Sequence, residues 1–254
     1  MFWRIRLGAL HGEAIILRTY PLKETDKLIV LFSQEHGKIR GVVNGGQRIK
    51  SRFSGKLEPL SWIEFSGFQR RNQQLVSIDS IEVIKGFGFI LEDYHTFLRS
   101  TYLLEIILKT MPDREVNQNV FRLLLHVLPA FVKIDTSEAA LLYFQVWYLK
   151  FGGFLPDLYE CCKCGNSLAK KGRVYCEEKN QGFMCEACKF GIGRQISVEN
   201  MELFKLLTKM SLVELLEGNQ ISKNINHLST IVEELIETSF ERKFDSLSVI
   251  KQEV

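Results

Sequence analysis

The chain has 254 residues, 46% of them hydrophobic and only five of them proline, so it can form one or two folded domains with little disorder. Residues 1–85 hold 14 basic against 8 acidic residues, a net +6, and residues 86–254 hold 19 against 22, a net −3. A basic first part joined to a mildly acidic remainder indicates an anionic partner for the first part. No apolar stretch approaches the roughly 20 residues that span a bilayer, and the N-terminus lacks a signal-peptide core, so we expect a soluble protein without a membrane partner.

The first 85 residues read as strands separated by turns. Short runs rich in Ile, Val, Leu and Phe occupy residues 12–19, 26–33, 38–44, 60–67 and 75–84, with turn signals at Pro21, Gly37 and Gly45-Gly46 between them. Five short strands predict a small barrel. An OB-fold is our preferred interpretation, with the loop between strands 4 and 5 at Gln69–Gln74, and an SH3-like barrel is the alternative.

Helical spacing begins after Gly88, where apolar residues from Tyr94 to Leu108 recur at intervals of three and four. Further helices are predicted around 116–133, 136–151, 197–216 and 225–243. The helix at 136–151 is expected to open with a capping box at Asp135–Glu138 and to close at Gly152-Gly153. The fold class is therefore α+β: a five-stranded OB-fold barrel followed by an all-helical domain with an inserted Cys₄ zinc ribbon.

The ribbon is predicted from two C-x₂-C pairs, Cys161–Cys164 and Cys185–Cys188. Two such pairs on facing turns complete a tetrahedral Cys₄ site for one structural Zn²⁺ with no open position for a substrate. Disulfides or idle buried thiols are the alternative. Cys162 and Cys176 read as spares, although Cys162 could compete for a coordination position. All six cysteines lie close together and metal-ready thiols need a reducing compartment, so we expect a cytoplasmic protein.

Cations are concentrated in the stretch from His36 to Pro59, where Glu58 is the one opposing acid and Phe53 offers an aromatic ring for a base to stack on. Phe53 turned into the core is the alternative. Arg70-Arg71 marks a second basic loop, which a barrel can bring to the same face. The predicted DNA-binding residues are Lys38, Arg40, Arg48, Lys50, Arg52, Lys56, Arg70 and Arg71.

Catalytic patterns are missing from the sequence. The five histidines show no metal-site spacing, the glycines around Gly41 and Gly45-Gly46 do not make a P-loop, and no G-x-S-x-G nucleophile motif occurs. We therefore expect binding without chemistry: no enzyme activity and no small-molecule substrate.

At this point the residues carry a resemblance. The run EAIILRTYPLKETDKLIVLFSQEHGKIRGVVNGGQRIKSRFSGKLEPLSWIEF resembles the opening of the RecO family of bacterial DNA repair proteins, which are recombination mediators of the RecF pathway. The segments GFLPDLYECCKCG and GFMCEAC are similar to those that hold the family's zinc ligands, and IETSFERKFDSLSVI is similar to its closing helix. The resemblance covers nearly the whole chain beyond Gly12, so residues 1–11 are predicted to be an extension, residues 12–86 the OB-fold and residues 87–254 the helical domain, with the ribbon at about 158–192.

The resemblance implies a nucleoid-associated protein that binds single- and double-stranded DNA, anneals complementary strands and, with RecR, helps load RecA onto strands coated by single-strand-binding protein. It further implies contact with the acidic C-terminal tail of single-strand-binding protein. An apolar groove with flanking cations in the helical domain would suit that tail. The candidate residues are Arg122, Phe131, Lys133, Trp147, Tyr148, Lys150 and Phe151.

Two other functions stay open from the residues. Basic loops do not distinguish DNA from RNA, so an RNA- or ribosome-associated OB and zinc-ribbon protein is one alternative. A thiol redox enzyme that uses a C-x₂-C pair is the other, although redox pairs usually occur singly at a helix start.

Overall fold

The computed structural model describes residues 8–71, 73–168, 173–177, 182–189, 193–218 and 225–252. The chain divides into two compact units. One contains residues up to 92 together with 111–122, and the other contains residues 93–110 and those from 123 onward. No helix among the described residues is long and apolar enough to cross a bilayer.

The first unit is a closed barrel of five strands: β1 (Ala9–Leu22), β2 (Asp26–Ser33), β3 (Gly37–Val43), β4 (Trp62–Phe68) and β5 (Val76–Lys85). The strands close in the order β1-β2-β3-β5-β4, with β4 returning to β1 and β3 pairing parallel to β5. This is the OB-like order, and it confirms the preferred interpretation over the SH3-like alternative. β1 begins at Ala9, inside the predicted extension, whose residues 1–7 lie outside the described part of the chain.

Alternation along the strands builds the barrel interior. Side chains such as Ile16, Leu31, Ile63 and Phe65 are almost fully buried in one apolar cluster, and along β4 the buried residues alternate with Glu64 and Ser66, which retain exposed surface. The junction of β3 and β5 requires a glycine at position 41, because a Cβ there would lie 2.7 Å from Ile78. Burial of this apolar cluster gives the unit a core of its own.

The second unit is helical. It contains α1 (Tyr94–Thr110), part of α2 (Gln118–Val127), α3 (Ile134–Phe151), α4 (Val198–Leu207), α5 (Leu212–Glu217), α6 (Asn226–Phe240) and α7 (Asp245–Gln252). A small sheet of three antiparallel strands interrupts the helices between α3 and α4. Its strands are β6 (Val174–Glu177), β7 (Gly182–Cys185) and β8 (Arg194–Ile196), in the order β7-β6-β8.

The structure differs from the predictions at the start of α3 and within residues 197–216. α3 begins at Ile134, after Lys133, and has no side-chain cap; the hydroxyls of Thr136 and Ser137 instead donate to the carbonyls of Lys133 and Ile134. The predicted capping box at Asp135–Glu138 is therefore wrong, whereas the predicted end at Gly152 is confirmed. The single helix predicted at 197–216 is two helices, because α5 starts anew at a capping box formed by Ser211 and Glu214.

Candidate nucleic-acid interface and metal centre

The outer face of β1, β2 and β3 is covered at one end and open at the other. At the covered end, Phe32 packs against Phe121 with ring centroids 6.1 Å apart, and the Lys38 ammonium lies 3.4 Å from the Asp113 carboxylate. Segment 111–122 supplies both partners and belongs to the same unit as the barrel. This segment occupies the end of the face at Phe32 and Lys38, so we look for a ligand site at the other end.

At the open end, Tyr20, Leu28 and Val42 lie side by side in the register of the three strands, so their side chains share one face. All three retain exposed surface, and the Arg18 guanidinium lies 5.1 Å from the centre of the Tyr20 ring. An aromatic ring held by a cation is a surface on which a base can stack. Of the two roles that the sequence allows for Phe53, stacking on a base and burial in the core, the structure has the second: Phe53 is 2% exposed and belongs to the barrel core.

A cleft of about 540 Å³ continues from this open end between the β1–β2 loop and the β4–β5 loop. Val42 and Phe68 give it apolar walls, and several polar side chains surround them: Lys23, Asn44, Arg70, Gln73 and Gln74. Amides can hydrogen-bond base edges, and the cations can meet phosphates. Sequence reasoning found Arg70 but missed Lys23 and Tyr20. Outward positions at i and i+2 along β1 were the available signal for Arg18 and Tyr20.

Asp26 connects this cleft to the basic loop that follows β3. The backbone N–H of Gly45 donates to its carboxylate at 2.8 Å, and that hydrogen bond, helped by the charges of Lys23 and Arg48, lowers the pKa of Asp26. Asp26 also lines the cleft together with Arg70. Arg48 and Arg70, from two separate loops, thus share a neighbour at the same end of the barrel.

The eight predicted DNA-binding cations fall into two groups. In the first group, Lys38 is 8% exposed and lies 3.4 Å from Asp113, and Lys56 lies 2.9 Å from Glu82, so both have an acidic partner within the chain. Arg40 is exposed and lies 3.8 Å from Asp113. The others are exposed and form no ion pair within the described residues: Arg48, Lys50, Arg52, Arg70 and Arg71.

The metal-site prediction concerns Cys161, Cys164, Cys185 and Cys188. Their Sγ atoms all lie within 4.8 Å of one another, and those of Cys164 and Cys185 are 3.8 Å apart. A tetrahedral ion bound at about 2.3 Å from each sulfur places the sulfurs about 3.8 Å apart. No disulfide joins any two of the six cysteines, all of which lie in the described part of the chain. The four sulfurs could therefore hold a metal ion.

The backbone holds Cys161 and Cys164 on one tight turn. Gly165 has φ +72°, which favours glycine, and its N–H donates to the Cys161 carbonyl to close a tight turn. Burial opposes ionisation of Cys161, but N–H groups, first that of Cys185, donate to its sulfur and lower the pKa to about 6. Hydrogen bonds with Cys164 and Cys185 raise the pKa of Cys188 to about 12. Crowded thiolates repel one another, and a divalent cation relieves that repulsion.

The two spare cysteines lie outside this cluster. Cys162 is exposed, and its N–H donates to the Phe183 carbonyl, which ties the first turn to β7. Cys176 is buried in β6. Residues 178–181, which connect β6 to β7 in the sequence, lie outside the described residues.

The predicted partner-binding residues differ in burial and in the unit to which they belong. Phe131 and Tyr148 are buried in the helical unit, Tyr148 stacked on Phe144 at 5.5 Å, so neither lines an open groove and that expectation is corrected. Arg122 belongs to the unit of the barrel. Lys133 and Lys150 lie 17 positions apart along α3, about 25 Å at 1.5 Å per residue.

Three of the predicted residues do come together at the end of α3. Trp147 and Phe151 are half-buried with ring centroids 5.4 Å apart, and the Lys150 ammonium lies 4.1 Å from the centre of the Trp147 ring. Lys150 also donates to the Thr208 carbonyl at the end of α4. Near it, Lys205 and Lys209 lie 4.9 and 5.2 Å from the ring centre of Tyr159. We call this set the α3–α4 patch: Trp147, Lys150, Phe151, Tyr159, Lys205 and Lys209.

These features define an OB-like barrel protein whose helical unit carries a four-cysteine cluster. Residues 9–87 match the family model described as Recombination protein O N terminal, and residues 91–248 match Recombination protein O C terminal. The chain belongs to the RecO family of DNA repair proteins, which confirms the resemblance seen in the sequence.

Two curated relatives align with this chain over nearly its full length. DNA repair protein RecO of Koribacter versatilis is 32% identical over 94% of this chain and 97% of its own. The DNA repair protein RecO of Caldicellulosiruptor saccharolyticus is 28% identical over 95% and 98%. A solved structure of Entamoeba histolytica asparaginyl-tRNA synthetase aligns with 71% of this chain and 40% of its own at a TM-score of 0.28 and 10% identity, a likeness too low to inform function.

Proposed function

We propose that this chain is a DNA-binding recombination mediator. It anneals complementary strands and, with RecR, helps load RecA onto strands coated by single-strand-binding protein, in the cytoplasm at the nucleoid. The observation that carries the proposal is the open end of the barrel, where cations that form no ion pair with any described residue surround a cleft with apolar walls and amide side chains.

Annealing needs no covalent step, because the barrier to it is the repulsion between two polyanions. A surface that neutralises phosphates of both strands lowers that barrier, and binding of this kind depends little on base sequence. Arg48, Lys50 and Arg70 are suited to this task since all three are exposed and none forms an ion pair within the described residues. Tyr20 adds a face on which bases can stack.

The test is an annealing assay on complementary strands coated with the cognate single-strand-binding protein, with and without this chain. We expect annealing to be faster when the chain is present. In a separate assay of RecA loading onto the coated strand, we expect loading to require RecR as well as this chain. Competition with RNA of the same sequence separates the RNA-binding alternative: an RNA oligomer that displaces DNA at much lower concentration would contradict the proposal. Unchanged annealing rates would contradict it as well.

We further propose that the cysteine cluster holds one structural Zn²⁺ ion. Four sulfur donors within 4.8 Å of one another favour zinc over harder ions, and four thiolates around one ion leave no open coordination position. Convergence of both C-x₂-C pairs on one cluster disfavours the thiol redox alternative. Inertness of the purified chain toward disulfide substrates is the expected result.

The α3–α4 patch is the surface we propose for the tail of single-strand-binding protein. Its three lysines suit an acidic peptide, and the half-buried rings of Trp147 and Phe151 suit apolar residues at the peptide's end. This proposal keeps Trp147, Lys150 and Phe151 from the sequence prediction and adds Tyr159, Lys205 and Lys209.

A further inference from the structure

Ile49 is the most exposed large apolar side chain among the described residues. It is 92% exposed, whereas the next, Val132 and Val198, are 63% and 61% exposed. Isolated apolar residues on a surface are common. Ile49 differs because it stands between two exposed cations, Arg48 and Lys50, in a stretch of sequence without an acid until Glu58.

The loop that carries Ile49 is held in place by contacts on both sides of that residue. Before it, the Gln47 side chain donates to the carbonyls of Lys23 and Asp26 at 3.1 and 2.6 Å, and the Gln47 N–H donates to the Thr25 carbonyl at 2.9 Å. After it, the Ser51 N–H donates to the Arg48 carbonyl at 2.9 Å, and Phe53 is inserted into the barrel core. A fastened loop loses little conformational entropy on binding.

An exposed isoleucine between cations fits the two chemistries of a nucleic-acid strand. Phosphates are matched by the cations, and the faces of the bases are matched by an apolar side chain, which proteins also insert between base steps. The same end of the barrel presents amide side chains and the Tyr20 ring, which are likewise suited to bases. Acidic or purely apolar partners would leave half of this arrangement unused.

We propose that Ile49 packs against the bases of a bound DNA strand while Arg48 and Lys50 contact the phosphates on either side. The inference rests on the proposed function, because it assigns a role within the same interface. Ile49 thereby holds bases apart from their neighbours and presents their edges to the complementary strand. Phosphate contacts alone cannot do this, since they carry no contact to the bases.

The proposal is tested by comparing Ile49→Ala with the unchanged full-length chain on a single strand and on an abasic strand of equal length. We expect Ile49→Ala to bind the normal strand about three- to tenfold more weakly, with an unchanged salt slope and an unchanged affinity for the abasic strand. Lys50→Ala should instead weaken binding to both strands and reduce the salt slope by about 0.7 to 1. Ile49→Leu should restore normal affinity.

Val83→Ala is the matched control, because Val83 is an exposed apolar residue on β5 of the same barrel. It should change no affinity. Equal binding of Ile49→Ala and the unchanged chain to the normal strand would overturn this inference while leaving the proposed function standing. An equal loss on normal and abasic strands would overturn it too, and an unchanged chain that binds neither strand would overturn both proposals.

Discussion

Six cysteines crowd into the segment from Cys161 to Cys188, and residue spacing alone separated them correctly. Two positions between partners fix a turn whose sulfurs point to one side, so Cys161 and Cys164 could be paired without knowledge of the fold. No other cysteine stands three positions from Cys162 or Cys176 in the sequence, and neither residue belongs to the cluster. A local geometric rule therefore predicted the candidate site.

The other residue predictions depended on distant contacts. Lys38 and Phe53 belong to the same basic stretch as Lys50, yet Lys38 pairs with Asp113 and Phe53 enters the core. Asp113 follows Lys38 by 75 positions, and no local pattern reveals that pairing. Charge predicted which segment is basic, whereas tertiary packing decides which of its side chains remain free.

The zinc proposal makes a prediction at single residues. Cys161→Ser should remove bound zinc and lower the thermal stability of the purified chain, because the energy of binding a structural metal is also energy of folding. Cys162→Ser and Cys176→Ser are matched controls and should each retain one zinc ion. Metal analysis together with thermal unfolding measures both effects. Stoichiometric zinc retained in Cys161→Ser would move the ligand role to Cys162, and a chain that folds fully without metal would refute the proposal.

Among the elements, the strands were predicted more accurately than the helix ends. Alternating apolar residues and glycine turns located all five strands to within a few residues. We predicted one helix at 197–216, although Ser211 and Glu214 have the capping-box spacing that would have revealed the split between α4 and α5. The start of α3 could not be read from the sequence, because the hydroxyls of Thr136 and Ser137 donate to the backbone carbonyls three residues before them instead of capping the helix.

The attachment of α7 illustrates an element that sequence could not specify. The buried Glu105 of α1 accepts hydrogen bonds from the backbone N–H groups of Asp245 and Ser246 at 3.0 Å each, and from the Ser246 hydroxyl. Lys109 bridges Glu105 and Asp245 at 2.6 and 3.0 Å. A glutamate 140 positions away thus supplies the N-terminal cap of α7.

We predict that Glu105→Gln destabilises the helical unit by about 1–3 kcal/mol at neutral pH. Burial alone would raise the pKa of Glu105, but hydrogen bonds from Lys109 and Ser246 outweigh it and lower the pKa. Because the pKa of Glu105 is lower in the folded than in the unfolded state, its carboxylate stabilises the folded chain at pH values above the unfolded pKa of about 4.3. This stabilisation is lost as the pH falls through the pKa of the folded state. Denaturant unfolding of the variant and the unchanged chain between pH 7 and pH 3 should therefore converge at low pH.

Glu233→Gln is the matched comparison on α6, because burial raises the pKa of Glu233 despite the nearby Lys251. A pKa that is higher in the folded than in the unfolded state means that the ionised carboxylate opposes folding. The stability contributed by protonated Glu233 is therefore lost as the pH rises from the unfolded-state pKa through the folded-state pKa. Substitution by a neutral amide should therefore cost much less at pH 7 than Glu105→Gln does. Equal losses in the two variants at pH 7 would contradict this account of both carboxyls.

Across the whole molecule, the two units differ in what they expose. The barrel carries the excess positive charge, and five of its predicted cations stand unpaired among the described residues. The helical unit has a slightly negative balance, yet it gathers Lys150, Lys205 and Lys209 beside aromatic rings. Net charge predicted the first surface. The second depends on the approach of α3 to α4, which the sequence pattern could not provide.

The final prediction is that these two surfaces can be disabled independently. Charge reversal at Arg48, Lys50 and Arg52 should weaken DNA binding on all sequences alike and reduce its salt slope by about 1 for each lost phosphate contact. The same variant should bind a labelled peptide of the single-strand-binding protein tail normally. Charge reversal at Lys150 and Lys209 should do the opposite, weakening the peptide while leaving DNA affinity unchanged. Lys133→Glu, at the other end of α3, is the control and should affect neither ligand.

Fluorescence titrations of the full-length chain measure both affinities. The tail peptide should bind with a dissociation constant on the order of micromolar, as expected for a short segment that orders on binding. Deleting the last few apolar residues of the peptide should abolish binding, since they are what the rings of Trp147 and Phe151 would contact. A barrel variant that loses both ligands together would show that one surface serves both and would refute the separation. Peptide binding that survives reversal at Lys150 and Lys209 would place the tail elsewhere on the molecule.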